Sequence, residues 1–349
     1  MKTSLPQEST VSLVILTYNG KAVLPKCLDS ALSQTYSMIE TILVDNGSTD
    51  GSYELALGKY GSRIRIVRNE LDLGYPAALN KAASMCGGQL LVFLNDDAAL
   101  HPKAIEELVR ATAEYPDFDF FQPKILLADK PDVINSTGLD IHYCGFGSLA
   151  EGGERASQSV VARELLGVHG ACFMARAKAF REVGSFDGSF FAFYEDTDLS
   201  WRVLLSGRRI IYVPSAIVYH RWGQAWGVVS SSKIRIAERN RLMMVLTNYD
   251  RATLILLTFP ILCTELGLLV WATKHHILHA KISSYADLIV LRKHLRSRRR
   301  IIKAIRRESD FAMLEKFTSE LNQVILGGPW LRPTRFLYKL FRNVVIRHL

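Results

Sequence analysis

The chain has 349 residues, 48% of them apolar and 22% charged, which is enough for one large folded domain or two smaller ones. Its net charge of +9 is concentrated in residues 274–307, where many lysines and arginines are opposed by a single acid, Asp287. A protein that binds nucleic acid over its whole surface is therefore not indicated, whereas a local basic stripe beside an apolar run favours an anionic membrane surface.

The cysteines and the N-terminus indicate the compartment. Five cysteines form no CxxC pair, which argues against a disulfide framework and favours a reducing environment. The first apolar run, Val11 to Leu16, follows a polar start and is too short for a signal peptide. The folded part of the chain is therefore expected in the cytosol.

The first third of the chain alternates between short β-branched runs and stretches with helical spacing of apolar residues. Strands are predicted at 11–16, 41–44, 64–67 and 90–94, and helices at 21–34, 52–60, 75–86 and 101–114. This order predicts an α/β domain with a mainly parallel sheet and helices on both faces. Ligands bind beyond the carboxyl ends of the strands in such sheets, and Asp45 and Asp96-Asp97 follow two predicted strands.

The rest of the chain is less regular. Strand-like runs occur at 125–127, 210–213 and 217–219, a short helix is predicted at 196–205, and a basic helix at 232–248. Residues 252–273 are the most apolar and approach the length of a membrane span, but Pro260 and Glu265 interrupt them. An interfacial or shallowly re-entrant hairpin fits at least as well as a span. We expect an α/β domain over 1–230 and a helical, basic and apolar membrane-associating region over 231–349.

Two clusters of short polar residues follow predicted strands. After the second strand, Ser48 and Asp50 are explained by a helix cap and a turn, whereas Asp45 stands at the strand end, where a nucleotide base or ribose could donate to its carboxylate. Asp96-Asp97 follow the fourth strand, and adjacent carboxylates there suit a hard divalent cation on a substrate diphosphate. One of the pair could instead cap the next helix. We favour the metal, with Asp97 ahead of Asp96 as the ligand.

A third acidic cluster, Glu195, Asp196 and Asp198, lies beside aromatic residues. Like charges and apolar neighbours both raise a carboxyl pKa, which makes a usable general base. Acids in the first turn of a helix are also favoured by its dipole, which lowers the pKa. We expect Asp196 to be the base, and Glu195 and Asp198 to be structural. Arg202 either neutralises a phosphate or pairs with Asp198.

Two histidines have simpler explanations than a functional role. His220 follows the strand-like run 217–219, and a lone histidine in such a position is more often a packed or surface residue than a ligand. His169 precedes Gly170 and is explained equally well by a turn. Position alone therefore indicates no function for either residue.

Taken in order, these segments resemble the inverting family-2 glycosyltransferases, whose nucleotide-diphospho-sugar-binding fold is called GT-A. The matching segments are 11–19, 44–51, 69–74 with Asn80, 94–97, 184–187 and 195–202. Each segment is short, but their order over about residues 10–225 is specific. The chain also resembles the bacterial rhamnosyltransferase-like branch in its basic apolar tail. Members of that branch add a sugar to a lipid-linked saccharide at the inner face of the plasma membrane.

The resemblance implies a role for each matching position. The residues implied in binding the nucleotide-sugar are Thr17, Tyr18, Asn19, Asp45 at the base, Asn46, Asn69, Gly74, Asn80 and Asp96 at the ribose. Asp97 is implied to bind Mg²⁺ or Mn²⁺, and His220 matches an extra metal ligand of a related galactofuranosyl branch. Asp196 is implied to be the catalytic base, with His169, Glu195, Asp198 and Arg202 on the acceptor side or in support. The usual acidic triplet of the family begins here with Asn95.

The implied activity is a metal-dependent, inverting transfer of a sugar, with rhamnose as the first candidate. The donor would be a dTDP- or UDP-sugar, and the acceptor a lipid-linked saccharide of a bacterial cell-surface polysaccharide, at the cytoplasmic side of the inner membrane. The alternatives are a galactofuranosyl, hexosyl or N-acetylhexosaminyl transferase, or a non-catalytic, membrane-tethered sugar-nucleotide-binding scaffold. A Rossmann oxidoreductase is not favoured, because no GxGxxG follows the first strand. The sequence leaves open the sugar, the nucleotide, the acceptor and whether the chain forms a homo-oligomer.

Overall fold

Strand β1 (Val11–Thr17) is uncharged and buried at all seven positions, because other strands pair with both of its edges. The computed structural model describes residues 9–221, 230–320 and 332–348, and within them β1 belongs to a ten-stranded sheet. The other strands of this sheet are β2 (Ile39–Asp45), β3 (Arg65–Arg68), β4 (Leu90–Asn95), β5 (Ala98–Leu100), β6 (Phe120–Leu127), β7 (Lys130–Ser136), β10 (Glu164–Leu165), β11 (Cys172–Arg176) and β12 (Ile210–His220). A separate two-stranded sheet contains β8 (Leu139–Ile141) and β9 (Gly147–Leu149).

The sheet is mixed, which corrects the expectation of a mainly parallel one. Its order is β10-β12-β6-β11-β4-β1-β2-β3, with β5 paired to β12 and β7 to β6. Strands β4, β1, β2 and β3 are parallel, whereas β11 runs antiparallel to both β4 and β6. The alternation with helices that predicts parallel pairing ends after the fourth helix, and β11 enters from a long segment that contains no crossover α-helix.

The helices of this half of the chain cover the sheet. They are α1 (Leu24–Ala31), α2 (Ser52–Tyr60), α3 (Tyr75–Ser84), α4 (Ala104–Glu114) and α5 (Ala177–Glu182). The four predicted strands and four predicted helices are confirmed, with ends that move by up to three residues. For example, α1 begins at Leu24, because its first turn contains a proline, a residue suited to the start of a helix.

Strand β12 joins two runs that the sequence presents as separate. Its pairing with β6 shifts register between Val213 and Ile217, and this interval contains Pro214. Proline has no N–H to give to a strand ladder and is tolerated at such an irregularity. The strand therefore continues past the shift and ends at His220.

The acidic segment and the C-terminal region are helical. The helices are α6 (Glu195–Leu205), α7 (Ser231–Asn248), α8 (Arg251–Leu256), α9 (Thr258–Lys274), α10 (Leu278–Val290), α11 (Arg292–Ile305), α12 (Asp310–Lys316) and α13 (Arg332–His348). The apolar run 252–273 is divided at Leu257 between α8 and α9. Among the described residues, no helix combines the length and the apolar character needed to cross a membrane.

The contacts divide the chain into two compact units. The first contains the described residues up to Leu139, then Leu149–Phe191, and those from Arg208 to the end of β12. The second contains Asp140–Ser148, Ala192–Gly207 and the described C-terminal helices, so that α6 belongs with the C-terminal region. The predicted domain boundary at 230/231 stays a prediction. Residues 1–8, on which the signal-peptide expectation partly depends, lie outside the described residues.

Candidate functional site

Three neighbouring strands bring polar residues to one edge of the sheet in the first unit. In the parallel pairing, Thr17 of β1 lies opposite Asp45 of β2, and Leu16 lies opposite Asn95 of β4. Asp96 and Asp97 follow Asn95 directly. The two clusters that the sequence places after strands are therefore adjacent in the fold, at the carboxyl ends where α/β sheets bind ligands.

Asp45 is a buried carboxylate with few partners. Its side chain is inaccessible to solvent, and neither carboxylate oxygen accepts a hydrogen bond. The guanidinium of Arg68, which is partly exposed, approaches it, with Nε 3.5 Å from Asp45 Oδ2. A buried carboxylate is costly unless donors satisfy it. Asp45 is therefore suited to accept a hydrogen bond from a ligand, such as the N–H of a pyrimidine base.

A hydrogen-bonded network connects the loops after β2 and β3. Asn69 Nδ2 donates to Asn46 Oδ1 (2.9 Å), and Asn46 Nδ2 donates to Asp72 Oδ1 (2.6 Å). Lys81 Nζ donates to Asn69 Oδ1 (2.6 Å). The sequence predicts Asn46 and Asn69 as site residues but not Asp72 and Lys81, although Asp72 lies inside the matching segment 69–74. The network fixes both loops beside Asp45.

Gly74 and Asn80 hold the backbone of the segment that precedes the acidic helix. Gly74 has a φ of +78°, and a Cβ there would lie 2.6 Å from the carbonyl oxygen of Phe191. Asn80 Nδ2 donates to the Phe186 carbonyl (2.7 Å), and the Phe186 N–H donates to Asn80 Oδ1 (3.0 Å). Both side-chain functions of Asn80 are thus occupied by the protein. Its assignment to donor binding stays a prediction, as does that of Gly74.

The turn after β1 is tied to both acidic loops. Thr17 Oγ1 donates to Asp96 Oδ2 (2.6 Å), and Thr49 N–H donates to Asn19 Oδ1 (2.8 Å). Burial raises the pKa of Asp96 to about 7; the Thr17 bond opposes this rise and the neighbouring Asp97 adds to it. Tyr18, between these anchors, is half exposed. Thr17 and Asn19 therefore shape the loop, while Tyr18 offers an accessible aromatic ring.

His220 and Asp97 form a pair at the same edge. His220 Nε2 lies 3.3 Å from Asp97 Oδ1, a buried oxygen that accepts no hydrogen bond. His220 Nδ1 lies 2.8 Å from Asn135 Oδ1, so that this oxygen accepts a hydrogen bond when Nδ1 carries the proton. Nε2 then presents a lone pair towards Asp97. Two facing acceptors are stabilised by a proton or a cation between them.

His169 lies next to this pair. Its ring centroid is 5.8 Å from that of His220, and its backbone N–H donates to Gln122 Oε1 (2.7 Å). Burial, and then His220, lower the pKa of His169 to about 3, so its imidazole is neutral near pH 7. Its buried Nδ1 makes no hydrogen bond. His169 therefore lies beside His220, and the acceptor-side or supporting role that the resemblance implies for it stays a prediction.

The Asp97–His220 pair fits a divalent cation shared with a substrate. In the parts of the chain that the structure describes, no group of three or more His, Cys, Asp or Glu side chains could hold a metal alone. Mg²⁺ in nucleotide sites commonly takes one or two protein ligands and completes its shell with phosphate oxygens and water. The unpartnered Asp97 Oδ1 and the Asn135-oriented His220 match this requirement, because outer partners of a metal-binding histidine fix its ligating nitrogen.

The acidic helix α6 belongs to the second unit, and one of its carboxylates is saturated. Asp198 is inaccessible to solvent and accepts from Arg202 Nε (2.9 Å), from Asn248 Nδ2 (3.3 Å) and from Arg298 Nη2. Of the two alternatives for Arg202, the pairing with Asp198 is confirmed. Arg298 lies in the basic C-terminal helix α11 and was not anticipated as a partner. These contacts support the structural role expected for Asp198.

The other two acids of α6 differ from Asp198. Asp196 is half-buried and accepts a hydrogen bond from the Thr197 N–H (2.6 Å). Glu195 has a buried Oε2 that accepts no hydrogen bond. Burial, and then Asp196, raise the pKa of Glu195 to about 8. The elevated proton affinity that the sequence predicts for this cluster is thus present at Glu195, which we expected to be structural.

The segment before α6 is held in an unusual backbone conformation. Phe191, Phe193 and Tyr194 have φ values between +63° and +67°, a region that side-chain-bearing residues rarely adopt. Asn240 of α7 donates from Nδ2 to the carbonyls of Ala192 (2.7 Å) and Phe193 (2.8 Å). Such strain persists where the surrounding structure enforces it, and it is concentrated at functional sites. No local sequence signal predicts this role of Asn240.

Residues 12–184 match the family model described as Glycosyl transferase family 2. The chain is 27% identical over 246 residues to the N-acetylglucosaminyl-diphospho-decaprenol L-rhamnosyltransferase of Mycobacterium tuberculosis, covering 62% of this chain and 77% of that protein.

Solved structures show the same fold. A GalNAc-T7 structure with UDP, GalNAc and Mn²⁺ has a TM-score of 0.58 at 18% identity, covering 70% of this chain and 49% of that one. The mannosyltransferase PcManGT of Pyrobaculum calidifontis, in complex with GDP-Man and Mn²⁺, has a TM-score of 0.51 at 14% identity, covering 98% of this chain and 87% of that one. At these identities the likeness concerns the fold, and it confirms the expected α/β GT-A-like architecture. Through the domain matched by residues 12–184, this protein belongs to glycosyl transferase family 2.

Proposed function

We propose that this protein is a metal-dependent, inverting glycosyltransferase. It moves a sugar, with rhamnose as the first candidate, from a nucleotide-diphospho-sugar to a hydroxyl of a lipid-linked saccharide in bacterial cell-surface polysaccharide synthesis. The observation that carries the proposal is the Asp97–His220 pair at the carboxyl edge of a family-2 domain, with Nε2 facing a buried oxygen that has no hydrogen-bond donor. The name of the mycobacterial relative supports rhamnose and the lipid-linked acceptor.

The donor side is assigned to the first unit. The buried, unsatisfied oxygens of Asp45 accept from the nucleotide base, and Asp96, anchored by Thr17, accepts from the ribose. Tyr18 offers its exposed ring to the same ligand. Asp97 and His220 are the residues that would hold Mg²⁺ or Mn²⁺. Such a cation, when bound, stabilises negative charge on the departing diphosphate.

The acceptor side is assigned to α6. Asp196 takes the proton of the acceptor hydroxyl as that oxygen forms its bond to the anomeric carbon. The bond from the anomeric carbon to the diphosphate oxygen breaks, and the nucleoside diphosphate departs with the electron pair. A single displacement of this kind inverts the configuration. The hydrogen bond from Thr197 N–H holds the Asp196 carboxylate in place, and positioned proton transfer is typically worth about 10²–10⁴-fold in rate.

The acceptor implies a membrane. A lipid-linked saccharide lies at the bilayer surface, so the enzyme must work there. We assign the helical region after residue 230 to association with the cytoplasmic face of the inner membrane, on the basis of its exposed apolar and basic side chains.

A donor and acceptor screen tests the proposal. The purified full chain is incubated with dTDP-rhamnose, UDP-galactofuranose, UDP-glucose, UDP-N-acetylglucosamine or GDP-mannose, with Mg²⁺ or Mn²⁺, and with a polyprenyl-diphospho-N-acetylglucosamine acceptor. We expect transfer from one donor, lost on chelation, and NMR of the product should show the inverted anomeric configuration. Retained configuration would contradict the mechanism. Donor binding without transfer or hydrolysis would favour the scaffold alternative.

A further inference from the structure

The outer face of helices α8 to α10 in the second unit is apolar and exposed. One large apolar side chain per turn of α9 points outwards, and neighbouring helices add more. The exposed residues are Ile255, Phe259, Leu262, Leu266, Val270, Ile282, Ile289 and Val290. Ile255, Val270 and Val290 each expose more than 70% of their surface. We call this set the apolar face. Many exposed large apolar side chains in successive helices mark a contact with another molecule or a membrane.

The opposite side of α9 carries charge. Glu265 is buried and pairs with Lys281 of α10 (2.6 Å) and with Arg241 of α7. Glu238 of α7 pairs with the same two cations, at 2.5 Å from Lys281 and 2.8 Å from Arg241. The four charges therefore neutralise one another inside the helical region. A buried cluster of charges combined with large apolar side chains on the outside departs from the usual arrangement of a water-soluble helical bundle.

Basic side chains follow this face directly. Helix α11 begins two residues after α10 ends and contains no acid. Its exposed cations are Arg292, Lys293, Arg296, Arg300 and Lys303. Between Phe259 and Val270, by contrast, no exposed residue of α9 is charged. An uncharged apolar helix next to a cationic one is complementary to a bilayer interface that contains anionic lipids.

From this arrangement we infer that the apolar face docks on an anionic phospholipid bilayer, with α9 lying in the plane of the interface. With 17 residues, α9 is about 25 Å long, less than the hydrocarbon core of about 30 Å. Its Glu265 is committed to the buried charge cluster. The inference specifies the membrane partner of the proposed function.

Cys263 provides a direct probe. It is exposed on α9 between Leu262 and Leu266, whereas the other four cysteines are buried. The full chain, labelled there with an environment-sensitive fluorophore, is mixed with vesicles of phosphatidylcholine alone or with a third of phosphatidylglycerol. We expect a blue shift, quenched by brominated acyl chains, with the anionic vesicles. If the protein binds the vesicles but the fluorescence of the label does not shift, the inference is overturned, because the apolar face would then remain in water.

Substitutions test the apolar side chains of α9 and the cations of α11 separately. The double variant Leu262→Glu/Leu266→Glu should bind anionic vesicles at least tenfold more weakly. Arg296→Gln/Arg300→Gln/Lys303→Gln should lose about 100-fold, because each cation near such a surface contributes about fivefold. The matched control Leu57→Glu/Val161→Glu changes two exposed apolar residues of the first unit and should bind normally.

Failure of the membrane-docking inference can be distinguished from failure of the proposed function. Vesicle binding is measured by flotation, without donor or acceptor, and thermal unfolding verifies that the variants fold. If Leu262→Glu/Leu266→Glu binds vesicles like the control, the docking face is wrong. If that variant instead converts an oligomer to a monomer, the face is a contact between copies and the inference is overturned.

Discussion

The buried carboxylates of the two units differ in whether the protein provides hydrogen-bond donors for them. In the first unit, the buried oxygens of Asp45 and the Asp97 Oδ1 accept no hydrogen bond. In the second unit, Asp198 is as deeply buried as Asp45, but two arginines and an asparagine donate to it. Burial alone therefore does not separate a chemical carboxylate from a structural one. The difference is whether the protein itself provides the donors, or leaves them to a ligand.

The same contrast exists within three residues of α6. Asp198 is neutralised by the protein, Glu195 keeps a buried oxygen without a donor, and Asp196 accepts a hydrogen bond from the adjacent backbone. A motif rich in acids can thus contain one structural anchor, Asp198, one carboxyl with a raised pKa, Glu195, and one half-buried carboxylate, Asp196. The following variants separate these roles.

The largest effect is expected for Asp196→Asn. The amide keeps an oxygen that can accept from the Thr197 N–H, but it no longer takes a proton from the acceptor. We expect kcat to fall by about 10²–10⁴-fold, with an unchanged Kd for the nucleotide-sugar. Single-turnover transfer assays and calorimetry with the donor measure the two quantities.

The matched control for this variant is Asp129→Asn, which changes an exposed acid of the first unit. It should leave both quantities unchanged. Near-normal turnover of Asp196→Asn would show that another group is the base. In that case, loss of turnover in Glu195→Gln would assign the role to Glu195.

Arg298→Met should destabilise the chain strongly. It removes one cation from Asp198, whose carboxylate remains buried. Because Arg202 still pairs with that carboxylate, we expect the loss of a charge-assisted hydrogen bond, about 1.5–3 kcal/mol. Arg300→Met is a matched control, because it removes an exposed arginine of the same helix and should change the free energy of unfolding by less than about 0.5 kcal/mol. Urea unfolding measures both.

A double variant sharpens this prediction. If contact between the two side chains is the cause, Asp198→Asn combined with Arg298→Met should lose less stability than the sum of the two single losses. Additive losses would contradict the pairing, since they would mean that each residue stabilises the chain independently.

Local patterns predicted the first half of the fold well. The strands and helices from β1 to α4 follow from apolar periodicity, and the positions of Asp45 and Asp97 follow from the rule for sheet edges. The antiparallel course of β11 did not follow, because it depends on pairing with β4 and β6 rather than on any local signal. Helix α9 was expected only as part of a longer apolar run, and the structure separates it from α8.

The partners of the site residues were the hardest part to predict. Arg298 is 100 positions from Asp198, and Asn135 is 85 positions from His220. No spacing rule connects residues so far apart. The sequence of the C-terminal region indicates a uniformly exposed basic stripe, although Arg298 is buried within it. Sequence reasoning therefore identified candidate groups, whereas the donors that decide their roles became visible only in the fold.

Asn135→Leu should weaken metal binding without touching the metal ligands. The change removes the acceptor that orients His220 through Nδ1, and such outer partners are typically worth 10–100-fold in metal affinity. We expect Mn²⁺ to bind 10–100-fold more weakly in the presence of UDP or dTDP, as measured by electron paramagnetic resonance. Asp132→Ala, an exposed change on the same strand β7, is the control. Equal Mn²⁺ affinity in both variants would remove Asn135 from the site.

The last prediction concerns the pH dependence of stability at Glu195. Burial and Asp196 raise its pKa from the ordinary 4.5 to about 8 in the folded chain. Between these values the unfolded chain releases the proton and the folded chain keeps it. The stabilising contribution of this group is therefore complete below about pH 4.5 and is lost as the pH rises towards 8.

Glu195→Gln removes this proton from both states. The free energy of unfolding of the variant, relative to the unsubstituted chain, should therefore rise with pH across this window, by at most about 1.4 kcal/mol per pH unit. Urea unfolding at pH 5, 6.5 and 8 measures the difference, and the exposed Glu114→Gln should show none. Parallel curves for Glu195→Gln and the unsubstituted chain would mean that Glu195 ionises like a solvent-exposed glutamate. Asp196 would then have a fully charged neighbour, and the contrast between saturated and unsatisfied carboxylates would no longer hold within α6.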